Sequence, residues 1–356
     1  MQNNGYEIVH FQPNMTEGVL RVLSYLWGNE EERNHHYFEW KYNLNPYADT
    51  PLGIVALFGR RIVGFRGYFA MRYKISGTEN SIVILCPGDT CVDPDHRRKK
   101  LSMLMGNMAM TDYAGTYPLF FNFSSNRLST PGYLKMGFVP LASKRYLNWY
   151  TLPGLIRFIL ASWNKGKEAT TIKADEFGGI EVSKKPKPKV MAELALCQQH
   201  PSGIIYPDQD EHFFQWRFAN HRKKYVFYYC KDKTRIKGYL VIRVSPSSGR
   251  GFIIDYNALN TDVAKRLISF PLKHNHFNVV SISAYSNTHN FTPALKKSGF
   301  RQRSILRIIE RRIEGEWPLL LRPVREIFTE QDYYLGNLDI RHINNWALKE
   351  ICSDGT

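Results

Sequence analysis

A chain of 356 residues is too long for one ordinary core, and 43% apolar with 14% aromatic residues excludes disorder. No stretch approaches the roughly 20 apolar residues that span a bilayer, and the five cysteines show no spacing of a disulfide or zinc framework. The net charge of +16 attracts anions: a phosphate-rich cofactor, a nucleotide, nucleic acid or an acidic membrane face.

Residues 1–11 lack a basic region followed by an apolar run, so no secretory leader is expected and the location is expected to be cytoplasmic. Glu7 to Phe11 is predicted as a strand. Thr16 is a candidate N-cap for a helix carrying Val19, Leu20, Leu23 and Leu26. A second helix is predicted around His36. Ile54 to Phe58 and Ile62 to Phe69 then form a hairpin turning at Gly59-Arg60. Ile82 to Leu85 leads into Asp89-Thr90-Cys91-Val92. After Arg97, Leu101, Leu104, Met105 and Met108 recur at helical spacing. Leu119 to Phe123 is predicted as a strand, and Pro131 opens a short helix closed by Gly137. Phe138 begins the closing strand. The fold class is α/β: a mixed, mostly antiparallel sheet flanked by helices.

The pattern then repeats. His36-Tyr37-Phe38-Glu39-Trp40-Lys41-Tyr42 is matched by His212-Phe213-Phe214-Gln215-Trp216-Arg217-Phe218. Arg61-Ile62-Val63-Gly64-Phe65 is matched by Arg235-Ile236-Lys237-Gly238-Tyr239. The Pro131 to Phe138 helix is matched by Pro293 to Phe300, and the apolar run from Pro153 to Trp163 by Pro318 to Phe328. Matches in the same order imply two tandem units, 1–163 and 191–356, the second with a C-terminal tail. Residues 164–190 between them read as a polar linker. Its stretch from Ser183 to Lys189 alternates Lys and Pro and is expected to be extended rather than helical.

The chemistry concentrates in Thr90 to Ser102. A strand ends, a Pro turn follows, and Arg97, Arg98, Lys99 and Lys100 open an amphipathic helix. A helix start offers unpaired N–H groups and the positive end of the dipole, which suit a phosphate. Basic residues there oppose the dipole by about 0.3–1 kcal/mol each, and a bound anion offsets that cost.

This stretch resembles the signature of the GNAT family of acyl-CoA-dependent N-acyltransferases: Val, a short turn, then Arg/Gln-x-x-Gly-x-Gly/Ala opening a helix. Val92, Arg97 and Ser102 fit it, and Lys100 stands where the family usually has Gly. Phe121 to Asn126, Tyr133 and Gly137-Phe138 resemble the next strand, its Asn and the final helix. The likeness covers residues 6–150. The second unit retains Asn287, Pro293, Gly299 and Phe300, but its counterpart loop, Asn257 to Lys265, lacks the pattern and carries Asp262 near the helix start. Tandem chains with an FxWKY-like segment resemble the acyltransferases of nucleotide-linked amino sugars, of the dTDP-3-amino-3,6-dideoxyhexose type, in bacterial surface-polysaccharide synthesis.

The resemblance implies direct attack of an acceptor amine on the thioester of acetyl-CoA or a short hydroxyacyl-CoA, without a metal. Proximity supplies much of the effect. By the same resemblance, Val92 lies beside the pantetheine, the N–H of Cys91 or Val92 polarises the carbonyl, Arg97, Arg98, Lys99, Lys100, Leu101 and Ser102 hold the pyrophosphate, and Asn126 contacts the pantetheine. Asp89 is the candidate base; burial of a carboxylate at such a place raises its pKa. Tyr133 is the candidate acid for the departing thiolate. Trp40, Lys41, Asn122 and Asp255 are expected to border the acceptor. An amine like an α-amino group titrates at about 7.7–8.0, so a useful fraction is neutral without a strong base.

Other readings remain at this point. A nucleic-acid-binding protein would show a basic face with interleaved aromatics, whereas the basic residues here are dispersed. An aminoacyl transferase on peptidoglycan precursors is also built from tandem units of this kind. A covalent route through Cys91 would need a neighbouring His, which the sequence does not place there. The paired His35-His36 reads as structural, because His212 answers His36 without a second His. Membrane-surface association through the two apolar runs is less expected than their packing onto their own units, and no integral membrane contact is expected.

Overall fold

The alternating apolar segments pair into two large sheets in the computed structural model, which describes residues 2–3, 5–143, 145–163, 172–245, 247–285, 291–302 and 318–353. The first sheet is built from β1 (Gln2–Asn3), β2 (Tyr6–His10), β3 (Leu52–Phe58), β4 (Arg61–Ile75), β5 (Ser81–Val92), β6 (Leu119–Asn122) and β7 (Val139–Ser143). The second takes β8 (Tyr146–Tyr150), β9 (Asp175–Phe177), β10 (Ile180–Ser183), β12 (Lys224–Asp232), β13 (Arg235–Ser245), β14 (Arg250–Ala258) and β15 (Val279–Ser283). β11 (Ile205–Pro207) pairs antiparallel with β4.

Helices cover both sheets: α1 (Thr16–Trp27), α2 (Glu31–Phe38), α3 (Leu101–Asp112), α4 (Thr130–Lys135), α5 (Leu152–Trp163), α6 (Pro188–Leu196), α7 (Glu211–Arg217), α8 (Thr261–Lys273) and α9 (Phe291–Lys297). α1 buries Val19, Leu20, Val22 and Leu23 with Ile62 and Phe65 of β4. Each such side chain contributes about 1.5–3 kcal/mol when fully buried. Gly18 permits the close approach, since a Cβ there would meet Ile62 Cδ1 at 2.6 Å. Thr16 is the first residue of α1 rather than its cap; its hydroxyl donates to Pro13 O. Leu26, expected inside, is half exposed. Among the described residues no helix is long and apolar enough to cross a membrane.

The two units exchange strands. β16 (Pro318–Pro323), from the end of the chain, lies between β6 and β7 and is antiparallel to both. β8, from the first unit, pairs antiparallel with β15 in the second sheet. The expected boundaries at 163 and 191 therefore do not follow the sheets. The expected linker carries β9, β10 and the start of α6, apart from residues 164–171, which lie outside the described residues. The Lys/Pro stretch ends by opening a helix: Pro188 occupies its first turn, where a missing N–H removes no helical bond. The two apolar runs also diverge. The run after Leu152 is helix α5, with Leu155 and Phe158 packed on Val279 of the second sheet, whereas the run from Pro318 opens with strand β16.

The largest core joins the units. Trp40 and Trp216 stack with ring centroids 5.5 Å apart and planes 14° from parallel. Each indole donates to the other's carbonyl: Trp40 Nε1 to Trp216 O at 2.6 Å, Trp216 Nε1 to Trp40 O at 2.8 Å. The repeated motif is thus the internal joint of the molecule. Trp40, expected beside the acceptor, is buried with its one donor satisfied, and it serves packing instead.

Candidate active site

β4 and β5 pair regularly until a bulge. Phe65 faces Cys91 and Gly67 faces Gly88, so Asp89 and Thr90 stand opposite Arg66 alone. Asp89 takes φ 44, in the left-handed region that Asp tolerates better than most residues. The bulge turns its carboxylate toward α1 and the π-helical turn Glu39–Asn43 that follows α2. Trp27 Nε1 donates to Oδ1 at 3.0 Å, and Lys41 Nζ and Tyr42 OH donate to Oδ2 at 2.5 and 2.7 Å. Gly67 leaves room for the Tyr42 ring, since a Cβ there would collide with it. The Tyr42 phenol is held well above its ordinary pKa, first by burial and then by Asp89, so it stays a donor. Lys41, expected to meet the acceptor, is instead buried on Asp89, with side-chain exposures of 2% and 11% for the pair. The small exposed edge of Asp89 is what remains for a ligand.

Past the bulge the strand is open on its other side. β5 and β6 run parallel and share one register position, Leu85 with Phe120; among the described residues no ladder joins them beyond it. The split leaves the far edge of the segment from Pro87 to Val92, opposite β4, without a strand partner among the described residues. Cys91 and Val92 lie on this edge, as the signature implies. The Cys91 thiol donates to Val22 O at 3.1 Å and is pushed up to about 11, burial being the main cause. It is not a nucleophile at neutral pH.

The loop after Val92 is pinned at one end and open at the other. Buried Asp93 accepts from Asp95 N at 3.2 Å and from Arg61 at 2.8 Å. Arg97 Nε donates to Val92 O at 3.1 Å, tying the loop to the strand. Arg98 and Lys100 then take φ 63 and 59. Lys100 is the residue before α3 and makes no side-chain cap. Its left-handed backbone explains why the family signature has Gly at this point. Among the described residues the N–H groups of Leu101 and Ser102 have no acceptor, and the four cations directly precede them in the chain. These groups fit a pyrophosphate: donors, dipole and charge converge on one end of α3. Leu101 itself is buried; its side chain anchors the helix and only its N–H faces a ligand.

Arg66, which the sequence reading missed, links this loop to Tyr133. It is buried inside β4, donates to Tyr68 OH at 2.8 Å and to Ser102 O at 3.3 Å, and lies 5.0 Å from the Tyr133 ring centroid. Its signal was a charge in the otherwise apolar run Gly64-Phe65-Arg66-Gly67-Tyr68. Tyr133 also packs edge-on against Phe138 at 4.9 Å. Asn126 is committed to its own turn: Oδ1 accepts from Leu128 N and Ser129 N at 2.9 and 3.0 Å, which leaves only its amide NH2 for a pantetheine. Asn122 is buried and accepts from Ser124 N at 2.8 Å, so it shapes the end of β6 and does not face an acceptor.

The second unit repeats the frame and closes it. Gly64 faces Val92 and Gly238 faces Ala258, so three residues back Asp255 answers Asp89; Asp255 pairs in register with Val241, and the bulge of this strand falls one residue earlier, at Ile254. Asp255 is fully buried and accepts from Lys349 Nζ at 2.8 Å, Gln209 Nε2 at 3.0 Å and Tyr239 OH at 2.9 Å. It does not line an open cleft, contrary to expectation. At the start of α8, Asn260 Oδ1 takes the N–H groups of Asp262 and Val263 at 3.1 and 2.9 Å. The donors left open in α3 are used internally here. Asn287 lies outside the described residues. His36 makes a ring contact with His221 at 5.7 Å, and His35, Glu17 and Glu31 group at the surface beside α1.

No protein-family model matches the chain, and no curated protein sequence is similar to it. Solved structures are similar. A GCN5-related N-acetyltransferase from Anabaena variabilis matches with TM-score 0.60 at 13% identity, over 90% of this chain and 73% of that one. One from Kribbella flavida matches with TM-score 0.58 at 12% identity, over 89% and 71%. The Saccharomyces cerevisiae N-myristoyltransferase with bound myristoyl-CoA matches with TM-score 0.54 at 11% identity, over 90% and 83%. The shared feature is the fold: two mixed α/β sheets flanked by helices, of GNAT type and in tandem.

Proposed function

We propose that the chain is a CoA-dependent N-acyltransferase, with the first unit as its cofactor unit and a nucleotide-linked amino-deoxy sugar as acceptor, in bacterial surface-polysaccharide synthesis. The observation that carries this reading is the uncapped start of α3, preceded by the four cations Arg97 to Lys100, beside a strand edge that holds the Asp89 bulge. Acyl-CoA supplies the activated thioester. The amine attacks its carbonyl, a C–N bond forms and the C–S bond breaks. Asp89 holds the ammonium and takes up the released proton, directly or through water. The backbone N–H of Cys91 or Val92 receives the developing oxyanion. Tyr133 returns a proton to the sulfur. Arg66 acts through Tyr133 and Ser102, keeping acid and loop in place. The nucleic-acid reading loses ground, because the clustered cations frame a single helix end.

Calorimetric titration of acetyl-CoA into the wild type and an Arg98→Ala/Lys100→Ala variant tests this. Micromolar binding lost in the variant is the expected result, and amino-sugar nucleotides are then screened as acceptors. Equal binding by both proteins, or none by either, would overturn the assignment of the loop.

A further inference from the structure

A loop of the second unit reaches the candidate site of the first. The loop after α7, Phe218 to Lys223, leaves the second unit and lies against α1 and α2 of the first. Its Arg222 places the guanidinium 4.8 Å from the Trp27 ring centroid and 4.2 Å from that of Tyr37, and donates to Asn34 Oδ1. Asn220 Oδ1 fixes the loop by accepting from Arg222 N at 3.0 Å. These two rings are the ones that reach the catalytic pair. Trp27 donates to Asp89, and the Lys41 ammonium lies 5.6 Å from the Tyr37 ring centroid.

Charge counting singles out Arg222. Lys41 is neutralised by Asp89 and Arg33 by Glu30 at 3.0 Å. Among the described residues no carboxylate pairs with Arg222, and its Nε is buried without a partner. Burial lowers its pKa, with Arg33 adding to the effect. Arg222 is half-buried, and a buried donor left unpaired beside a charge that no carboxylate meets is costly, which favours an anion as its partner. A strongly bidentate oxyanion is the partner its geometry prefers.

We infer that Arg222 receives a phosphate group carried by the acceptor while the acceptor's amine is delivered to Asp89. This rests on the acyltransferase reading above and assigns to the second unit the residue that holds the acceptor's phosphate. One indole separates the two groups: its N–H bonds Asp89 and its face carries Arg222. An amino sugar 1-phosphate holds its amine and phosphate across one ring, a comparable span. The second unit, whose own loop is closed by Asn260 and whose aspartate is closed by Lys349, thereby contributes the specificity of the first.

The test titrates dTDP and inorganic pyrophosphate into CoA-saturated protein, which occupies the α3 site, with Trp fluorescence and calorimetry as readouts. Wild type is expected to bind at least one of them, and Arg222→Gln to bind it about tenfold more weakly or worse, the loss of one charged hydrogen-bonding partner. Arg222→Lys is expected to lie between them, and both variants to keep wild-type CoA affinity and a cooperative unfolding transition. Binding of pyrophosphate as tight as dTDP identifies the phosphates alone as the ligand; binding of dTDP only adds the nucleoside. Equal affinity of wild type and Arg222→Gln, or no binding of either probe by wild type, overturns the inference. If CoA itself does not bind, the acyltransferase reading fails separately. The same titration in the Arg98→Ala/Lys100→Ala background then decides on Arg222.

Discussion

Asp89 and Asp255 hold equivalent positions on strands of the two sheets, the first within a bulge and the second beside one, and each accepts a lysine ammonium, Lys41 at 2.5 Å and Lys349 at 2.8 Å. The lysines come from different places: one from the turn after α2, the other from the C-terminal tail. The duplicated frame has kept the carboxylate and met its charge twice by separate means. The pairs differ in access, since the Asp89 side chain is 11% exposed and that of Asp255 is 0%.

That difference predicts unequal costs. Removing one partner of a buried ion pair leaves an uncompensated charge, at about 3–5 kcal/mol. Lys349→Met is expected to reach that range, and Lys41→Met to fall below it because water reaches Asp89. Adding Asp255→Asn to Lys349→Met, or Asp89→Asn to Lys41→Met, is expected to restore part of the loss. Urea unfolding of the four variants measures this. Equal and small losses for both lysines would show that the pairs are not energetically closed.

The exchanged strands predict that neither half folds alone. A fragment 1–163 lacks β16, so β6 and β7 lose their shared neighbour and expose two bare edges. A fragment 191–356 lacks β8, β9 and β10. Each is expected to show no cooperative thermal transition by circular dichroism, and co-expression of 1–190 with 191–356 to restore one. A cooperative transition in either isolated fragment would contradict the exchange.

Cys91 predicts a pH response with a definite sign. Burial raises its thiol to about 11, above the ordinary value of a free cysteine. A raised value means that the unfolded chain loses this proton first. The contribution is fully present below the unfolded value and is lost as pH rises toward about 11. At pH 8 a thiol-reactive dye is expected to label exposed Cys197 first and leave Cys91 unmodified. Cys91→Ala is expected to retain acyl transfer. Loss of transfer with normal CoA binding would instead favour a covalent route.

Much of this was legible in the sequence, for physical reasons. The repeat and the basic helix start after a strand are local patterns, and local patterns survive in a single chain. What stayed hidden depends on pairing between distant segments. Nothing in Pro318 to Pro323 says that it inserts between β6 and β7, because an apolar strand fits many edges. The apolar run before Trp163 matched it in composition and became a helix. Lys41 read as a ligand residue because a lysine in an aromatic segment shows its charge but not its partner. Lys349, Arg222 and Arg66 act on residues far away in the chain, and only the fold brings them together.

Lys100 allows backbone geometry to be separated from charge. It holds φ 59 in the left-handed region, which costs a non-glycine residue about 1–2 kcal/mol. Lys100→Gly removes that strain but loosens the unfolded chain, so a net gain of about 0.5–1 kcal/mol is expected by urea unfolding. The same change deletes one of the cations before the Leu101 and Ser102 N–H groups. Its effect on CoA therefore depends on which contribution dominates at the phosphate. If charge dominates, affinity falls several-fold and binding becomes less sensitive to salt, because one ion contact is gone. If close backbone approach dominates, affinity rises, since a smaller residue lets the phosphate reach the helix end. Arg97 to Lys100 form a run of four cations before only two open N–H groups, so the charge term is expected to win, and calorimetry at low and high salt distinguishes the two. Tighter binding by Lys100→Gly would mean that the chain carries a lysine against its own cofactor, and that the basic run serves something other than the pyrophosphate.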